Sequence, residues 1–372
     1  MKQIVFAFVV LTVTAAANAC NVPVFRYALE RWRPDTCDAI VFHDGPLTEA
    51  HQAFVHHLRS ASAANRGASN IDVLQQNIAD NMDGAVRLLW GNLSQQPDLR
   101  LPYVVVRSSV AGQVINNWRG SIDDAMKAEL LASPARTELS RRLLTGHSAV
   151  WLVLNSDTGE SNQEVVELLN RQLKMLSQRI PIPEGIGLPG SELFSDIPLL
   201  MKFSVLEIDP ADEKEQFLVK LLTGFEPDSI SSGESLVVPV FGRGRALEVI
   251  PAMQLDEGLI EDLTLFLCGA CSCQVKERNP GFDLLMTANW ERELFGEDAE
   301  ELASQMIAAA TTTSVEPVLV PIPSGSSQNE VPVDTDNAGR ASIRKPSSWL
   351  SGGIICLVAI VFAIVFGHSM KT

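Results

Sequence analysis

The sequence predicts an α/β protein with two consecutive units of the same element order, followed by a disordered stalk and one C-terminal transmembrane helix. Two observations predict the α/β class. Short apolar runs alternate with longer segments whose apolar residues recur at helical spacing. The order of these elements in residues 20–146 then returns in residues 147–296. A chain of 372 residues is long enough for two such domains with appendages.

The first unit, residues 20–146, begins with a short apolar run. Residues 39–42 predict a buried strand that ends in a turn at 43–46, and Thr48 is a suitable N-cap for a helix over 49–60. The polar residues His43 and Asp44 are typical of an ordinary solvated turn, which we favour over a ligand site. The remaining predicted elements are strands at 71–74, 101–106 and 114–118 and a helix at 123–131.

The second unit, residues 147–296, repeats this order. A helix that begins at Ser133 and Pro134 leads into it, because a serine cap and a proline in the first turn are typical of helix starts. Gly242 and Gly244 lack the third glycine of a nucleotide-binding loop and predict a hairpin turn. The predicted elements are strands at 149–154, 200–208, 236–241 and 246–250 and helices at 163–179, 213–222 and 256–267.

The element order of each unit resembles the thioredoxin fold. A first strand runs into a turn and a helix, and a hairpin precedes the last helix. Pro102 opens the third strand, where thioredoxins place a cis proline. Active thioredoxins carry Cys-x-x-Cys after the first strand, whereas this chain has Phe-His-Asp-Gly-Pro-Leu at 42–47 and Asn-Ser-Asp-Thr at 155–158. The resemblance therefore implies the fold without the catalytic thiols.

Three passages, at 20–32, 239–246 and 268–290, resemble a family of secreted or membrane-anchored proteins from planctomycete bacteria. The resemblance covers most of residues 20–290. It implies a cell-envelope location and tandem thioredoxin-like domains that lack the catalytic Cys-x-x-Cys. It implies no activity, so no functional residue is transferred from it.

The N-terminus carries the pattern of a cleaved signal peptide over residues 1–19. Lys2 precedes an apolar run, and Ala17-Asn18-Ala19 forms a cleavage site of the A-x-A type. Cleavage leaves Cys20 as the first residue, which is typical of a lipoprotein. The leucine expected three positions earlier is missing, so lipidation of Cys20 stays an alternative.

The C-terminus predicts a membrane anchor. Residues 297–347 are expected to form a helix and then a disordered stalk, 348–367 a single transmembrane helix, and 368–372 a cytoplasmic tail. Basic residues before the span oppose this orientation by the positive-inside rule, but a tail-anchored cytoplasmic protein leaves residues 1–19 unexplained. The expected location is the cell membrane, crossed once, with the globular part extracytoplasmic.

The charge balance bears on partners. The chain has 29 Lys and Arg residues against 45 Asp and Glu residues, a formal net charge of −16. Such a surface repels the phosphate backbone, which argues against nucleic-acid binding. The expected partners are the membrane and a protein of the cell envelope.

The candidate chemical site is the cysteine cluster formed by Cys268, Cys271 and Cys273. Structural disulfides are the usual state of cysteines outside the cytoplasm, with Cys20 and Cys37 as the possible partner thiols. Thiolates at this spacing also suit zinc, copper or an iron–sulfur cluster. Redox chemistry at Cys268-x-x-Cys271 is a third interpretation, although the end of a predicted helix disfavours the thiolate.

No other catalytic motif stands out in the sequence: it contains no His-Glu-x-x-His, no Gly-x-Ser-x-Gly and no Walker loop. Because both units lack the thioredoxin thiols, the sequence favours a binding or scaffolding module over an enzyme. The alternative is an extracytoplasmic thiol-disulfide oxidoreductase or metal-handling protein that uses the cysteine cluster.

Overall fold

The first of two β-sheets has four strands. The computed structural model describes residues 21–65, 67–110, 113–156, 160–225, 233–271 and 275–296. The strands of this sheet are β1 (Cys37–His43), β2 (Ile71–Asn77), β3 (Tyr103–Val110) and β4 (Gln113–Ser121), in the order β2-β1-β3-β4. Strands β1 and β2 are parallel, and β3 is antiparallel to β1 and β4. The peptide bond between Leu101 and Pro102, just before β3, is cis.

The second sheet repeats this arrangement in its central strands. It consists of β5 (Ala149–Leu154), β6 (Phe203–Ile208), β7 (Leu236–Phe241), β8 (Arg245–Ala246), β9 (Ile250–Pro251) and β10 (Phe282–Asp283). The order is β10-β8-β7-β5-β6, and β9 pairs with β7. Strands β5 and β6 are parallel, and β7 is antiparallel to β5 and β8. The protein is therefore of the mixed α/β class with two sheets.

Helices cover both sheets. They are α1 (Val24–Arg31), α2 (Glu49–Ala61), α3 (Gly84–Leu93), α4 (Ile122–Lys127), α5 (Pro134–Leu144), α6 (Glu160–Arg179), α7 (Gln216–Thr223), α8 (Glu257–Cys268) and α9 (Trp290–Phe295). The predicted caps are confirmed. The Thr48 hydroxyl accepts from the N–H of His51, and the Ser133 hydroxyl accepts from the N–H of Arg136. These bonds satisfy backbone donors that a helix leaves unpaired in its first turn.

The two sheets share one hydrophobic core. Alternate side chains of β1 and β5, such as Val41 and Leu152, belong to the same buried cluster, together with apolar residues of α5 and α7. The opposite face of β1, including Phe42, packs against α3. The opposite face of β5, including Trp151, packs against α1, α6 and α8. Burial on both faces explains why the central strands are continuous apolar runs rather than alternating patterns.

The structure adds three helices that the sequence analysis did not predict: α1, α3 and α9. Helix α1 precedes β1 in the chain but packs on the second sheet, in the cluster that contains Trp151. Its charged residues Arg26 and Glu30 are buried and paired with each other, which hides the amphipathic pattern expected of a surface helix. The helix predicted at 123–131 ends earlier, at Lys127.

The strand predicted at 246–250 is interrupted, because β8 and β9 contact β7 at separate places. Pro239 lies between these contacts. The carbonyl oxygen of Pro239 accepts from the N–H of Leu247, on the edge of β7 that faces β8 and β9. The nitrogen of a strand residue points to the same edge as its carbonyl, so the nitrogen of Pro239 faces the gap between β8 and β9. The missing N–H of this proline therefore costs the sheet no hydrogen bond. Gly242 and Gly244, both with positive φ (58° and 92°), form the predicted hairpin turn, which is confirmed.

No helix within the described residues is long and apolar enough to cross a membrane. The predicted signal peptide, stalk and transmembrane span lie outside the described residues.

Candidate functional site

The cysteine cluster begins where α8 ends. The Asp256 carboxylate caps the start of this helix by accepting from the N–H of Leu259 at 2.8 Å. The helix buries one face through Ile260, Leu267 and Cys268. Gly269 then takes an extended conformation, with φ −69° and ψ 158°, and ends the helix. Cys268 and Cys271 therefore do not share a helix face, because the helix ends at Cys268.

The chain after α8 pairs with the N-terminal segment. The N–H of Val24 donates to the carbonyl of Gly269 at 3.0 Å, and the N–H of Cys271 donates to the carbonyl of Val22 at 2.9 Å. These bonds flank an antiparallel bridge between Pro23 and Ala270. The side chains of Val22 and Cys271 are both buried in the core of the second sheet. Residues 22–24 are therefore tied to the cysteine segment.

The thiols of Cys268 and Cys37 are poor nucleophiles. Burial raises the pKa of the Cys268 thiol to about 12. Burial, together with the nearby carboxylates of Asp283 and Asp38, also raises the pKa of the Cys37 thiol to about 12. Because the thiolate is the reactive form, neither residue is suited to thiol exchange near neutral pH.

The partners considered for the cluster lie in different places. Cys37 is on β1 in the shared core, whereas Cys268 and Cys271 line the core beyond the second sheet. Cys20 and Cys273 lie outside the described residues. Among the described residues, no three His, Cys, Asp or Glu side chains are grouped so that they can hold a metal ion.

The turn after β1 is held closed by His43, which is 8% exposed rather than solvated as expected. Its Nδ1 donates to the carbonyl of Gly45 at 2.6 Å, because a carbonyl oxygen accepts. Its Nε2 lies 3.2 Å from the amide nitrogen of Gln75 and accepts from it. Both ring nitrogens are thus engaged. Asp44 is exposed, as predicted.

The turn after β5 is closed by a different set of side chains. The Asn162 side-chain oxygen accepts from the N–H of Ser156 at 2.9 Å, and its amide donates to the carbonyl of Ser156 at 3.2 Å. The same oxygen also accepts from the hydroxyl of Ser235, which is fully buried just before β7. Asn162 therefore fixes this turn against the loop that enters β7.

Two surface depressions accompany these features. One is a groove of about 540 Å³ between α2 and β2, lined by Gln52, Ala53, His56 and Gln75 among others. The other, of about 470 Å³, lies beside residues 31–36 and Lys276. The Lys276 ammonium donates to the carbonyl of Arg33 and to the carboxylates of Asp35 and Asp283. The Lys276 ammonium therefore makes its hydrogen bonds within the protein.

Buried arginines are the polar residues that the sequence analysis missed. Arg243 donates to the carbonyls of Leu29 and Glu30 at 2.7 and 2.9 Å and to the carboxylate of Glu291 at 2.6 Å. In the sequence, the feature that could have indicated a special role for Arg243 is its position between the two glycines of the Gly242-Arg-Gly-Arg245 hairpin. A Cβ atom at Gly242 would lie 2.7 Å from the Cβ of Ala28, so this turn lies directly against α1.

None of the protein-family models, curated proteins or solved structures compared with the chain matches it.

Proposed function

We propose that the chain is a membrane-anchored extracytoplasmic protein of the cell envelope, whose two non-catalytic thioredoxin-like units bind or scaffold a protein partner. The repeated strand order supports the thioredoxin-like build. In both sheets a parallel pair is joined through its first strand to an antiparallel pair, as β2-β1-β3-β4 and as β6-β5-β7-β8. This is the arrangement that the resemblance to thioredoxins implies.

One observation supports the proposal that the two units are not catalytic. In each unit the turn after the first strand contains hydrogen-bonded polar side chains and no cysteine. His43 bonds to Gly45 and Gln75 in the first turn, and Asn162 bonds to Ser156 and Ser235 in the second. A nucleophile in such a turn has to be exposed and activated. These turns instead use their polar groups for internal structure.

The proposed location rests on the sequence at both ends. The A-x-A site at residues 17–19 and the apolar run over 348–367 together predict a body exported across the membrane and held by one span. Protease added to intact spheroplasts is expected to digest the body while a cytoplasmic control protein survives. Survival of the body alongside the control contradicts this topology.

Two assays test the class of function. The purified full chain in detergent is expected to show no insulin reduction, and Cys268→Ser and Cys37→Ser variants are expected to behave the same. Turnover that disappears in Cys268→Ser but persists in Cys37→Ser would establish a thiol oxidoreductase. Cross-linking in intact cells, followed by purification of the full chain, is expected to recover one envelope protein in fixed ratio. Recovery of the chain alone opposes a scaffolding role.

A further inference from the structure

Strand β2 forms an edge of the first sheet, where its neighbour in the strand order is β1. The N–H of Cys37 donates to the carbonyl of Asn70, and the N–H of Ile78 donates to the carbonyl of His43. Both contacts involve even-numbered residues next to the ends of β2. Because the backbone groups of a strand alternate between its two edges, the odd-numbered residues of β2 point their N–H and C=O groups away from β1.

Two of these outward groups already have partners. The N–H of Val73 donates to the Asp72 carboxylate at 2.8 Å. The carbonyl of Asn77 accepts from the N–H of Asp80 at 3.1 Å and from the side-chain amide of Gln76 at 2.8 Å. These two backbone groups are therefore satisfied without another strand.

Four other outward groups are open. They are the carbonyl of Val73, the N–H and the carbonyl of Gln75, and the N–H of Asn77, and none of them bonds to a described residue. Natural proteins commonly block such an edge with lysine, proline or a bulge. Strand β2 contains neither lysine nor proline, and its register with β1 is unbroken. The edge is therefore a template for one more strand.

The open groups match a second copy of the same strand. In an antiparallel ladder, two opposite residues exchange both hydrogen bonds, and the next such pairs lie two residues away on either side. If two copies of β2 meet about a two-fold axis at Gln75, the two Gln75 residues exchange both bonds. The N–H of Asn77 in each copy then donates to the carbonyl of Val73 in the other. The remaining groups of that pair, the N–H of Val73 and the carbonyl of Asn77, are the two that are already bonded internally.

Neighbouring registers do not match in this way. An axis at Leu74 sets the open carbonyl of Gln75 opposite the N–H of Val73, which the chain has already bonded. An axis at Gln76 sets the open N–H of Gln75 opposite the carbonyl of Asn77, which is also bonded already. The pattern of open and bonded groups therefore selects the axis at Gln75.

The side chains of β2 also suit a copy of the same strand. Ile71 and Val73 point to the core beneath α2, so Leu74 lies on the opposite face, where it is 42% exposed. In the register about Gln75, the two Leu74 side chains are diagonal neighbours across the axis, within reach of each other. The acid of the strand, Asp72, lies three residues from the axis, so the two Asp72 carboxylates are roughly 20 Å apart.

The charges on α2 do not oppose this pairing. The groove between α2 and β2 is lined by Glu49 near the start of the helix and by Arg59 near its end. A two-fold axis normal to the sheet sets the two α2 helices antiparallel on the same face. The acidic end of each helix then lies towards the basic end of the other, which is electrostatically complementary. The chain as a whole carries a net charge of −16, so few of its surfaces can be expected to meet a copy of themselves on these terms.

We propose that the body forms a symmetric dimer in which β2 pairs antiparallel with β2 of a second copy, about an axis at Gln75. The two four-stranded sheets then become one continuous sheet. Such an interface is isologous, because the same surface serves both copies. The inference names a second copy of this chain as a partner and depends neither on the location nor on the non-catalytic role.

Sedimentation equilibrium and hydrogen exchange on the full chain in detergent test the dimer and its register. The chain is expected to pass from monomer to dimer as its concentration rises. Exchange at the amides of Gln75 and Asn77 is expected to slow over the same range, because both donate across the axis. The rate at Val73 is expected to stay constant, because its N–H remains bonded to Asp72.

Charge variants at the axis test the contact with a second copy. Leu74→Glu or Leu74→Lys alone sets like charges across the axis, and each is expected to raise the dissociation constant of the dimer about tenfold. An equimolar mixture of the two variants is expected to dimerise to within about threefold of the wild type. The matched control is Leu265→Glu on α8, where the leucine is 44% exposed, and it is expected to leave the dimer unchanged.

Several results would overturn the proposal. A chain that stays monomeric up to about 100 times the concentration used for hydrogen exchange has no such dimer. A dimer that Leu74→Glu does not weaken, or that Leu265→Glu weakens as much, is formed by another surface. A mixture of the Glu and Lys variants that stays monomeric, although both variants unfold at the wild-type temperature, removes Leu74 from the axis. Protection of Gln75 that is independent of concentration assigns the edge to a different occupant.

Discussion

Replacing Arg243 by methionine is expected to destabilise the body through two orphaned carbonyl groups. Arg243 is 5% exposed and lies at the C-terminal end of α1, where it binds the carbonyls of Leu29 and Glu30. Burial lowers the pKa of this guanidinium, and the neighbouring Glu291 acts in the opposite direction. The side chain nevertheless remains charged in the physiological range and complements the negative end of the helix dipole.

The magnitude follows from the partners. Each carbonyl left without a donor costs about 1–3 kcal/mol. Methionine retains much of the packed volume, so a large cavity term is not expected. Glu291 is 38% exposed and can be hydrated after the change, so its contribution is small. The two carbonyls together cost about 2–6 kcal/mol, which corresponds to a fall in Tm of roughly 4–24 °C for a body of this size.

Arg33 provides the matched control. Its Nε lies 3.9 Å from the same Glu291 oxygen, but its side chain is 72% exposed. Arg33→Met is expected to change stability by less than about 0.5 kcal/mol. Thermal unfolding of both variants, followed by tryptophan fluorescence of the full chain in detergent, measures the difference. If Arg33→Met or Glu291→Gln costs as much as Arg243→Met, the ion pair rather than carbonyl capture carries the energy and the reasoning fails.

Two further predictions concern the cysteines. The pKa values of Cys37 and Cys268 are raised from 9.0 to about 12, so the folded state favours the protonated thiols, and stability is expected to fall as pH rises from about 9 towards 12. Iodoacetamide should therefore label neither residue in the native chain at pH 8, and rapid native labelling of Cys268 would contradict the burial. The antiparallel bridge between Pro23 and Ala270, with the hydrogen bond from the N–H of Cys271 to the carbonyl of Val22, joins the segments that lead to Cys20 and to Cys273, so we predict that these two cysteines form a disulfide. Peptide mapping of the unreduced chain is expected to recover a Cys20–Cys273 linkage, and alkylation of both residues without reduction, or metal bound in their place, would refute this pairing.

Local patterns predicted much of the fold. The strand at Ala149–Leu154 is marked by an unbroken apolar run, and the helix after Thr48 by its cap and its apolar spacing. The hairpin at Gly242 and Gly244 is marked by residues that tolerate positive φ. In each case the information lies within a dozen neighbouring residues. Interactions between residues close in the sequence are therefore enough to predict these elements.

Other features depend on partners far away in the sequence. Helix α1 was missed because Arg26 and Glu30 interrupt its apolar surface, and their burial makes sense only with the loop that crosses them. The Glu30 carboxylate accepts from the N–H groups of Phe194 and Ser195, and Arg26 donates to the carbonyl of Ser195. His43 was assigned to a solvated turn for the same reason, since its partner Gln75 lies 32 residues later. No local pattern contains these contacts.

The two units also differ at equivalent edges, and this asymmetry bears on where a partner binds. Strand β6 holds the place in the second sheet that β2 holds in the first. Its outward carbonyl at Val205 accepts from Arg142 at 2.8 Å, and Arg142 also donates to the carboxylate of Glu138.

Hydrogen bonds from Arg141 and Arg142 lower the pKa of the Glu138 carboxyl to about 2. Glu138 therefore stays ionised across physiological pH and keeps its hydrogen bond to Arg142, which covers the carbonyl of Val205. On the corresponding edge of the first unit, no group among the described residues bonds to the backbone N–H or C=O of Gln75. Because side chains close the turns after β1 and β5 and the edge at β6, we expect a partner to bind at β2 and the groove between α2 and β2.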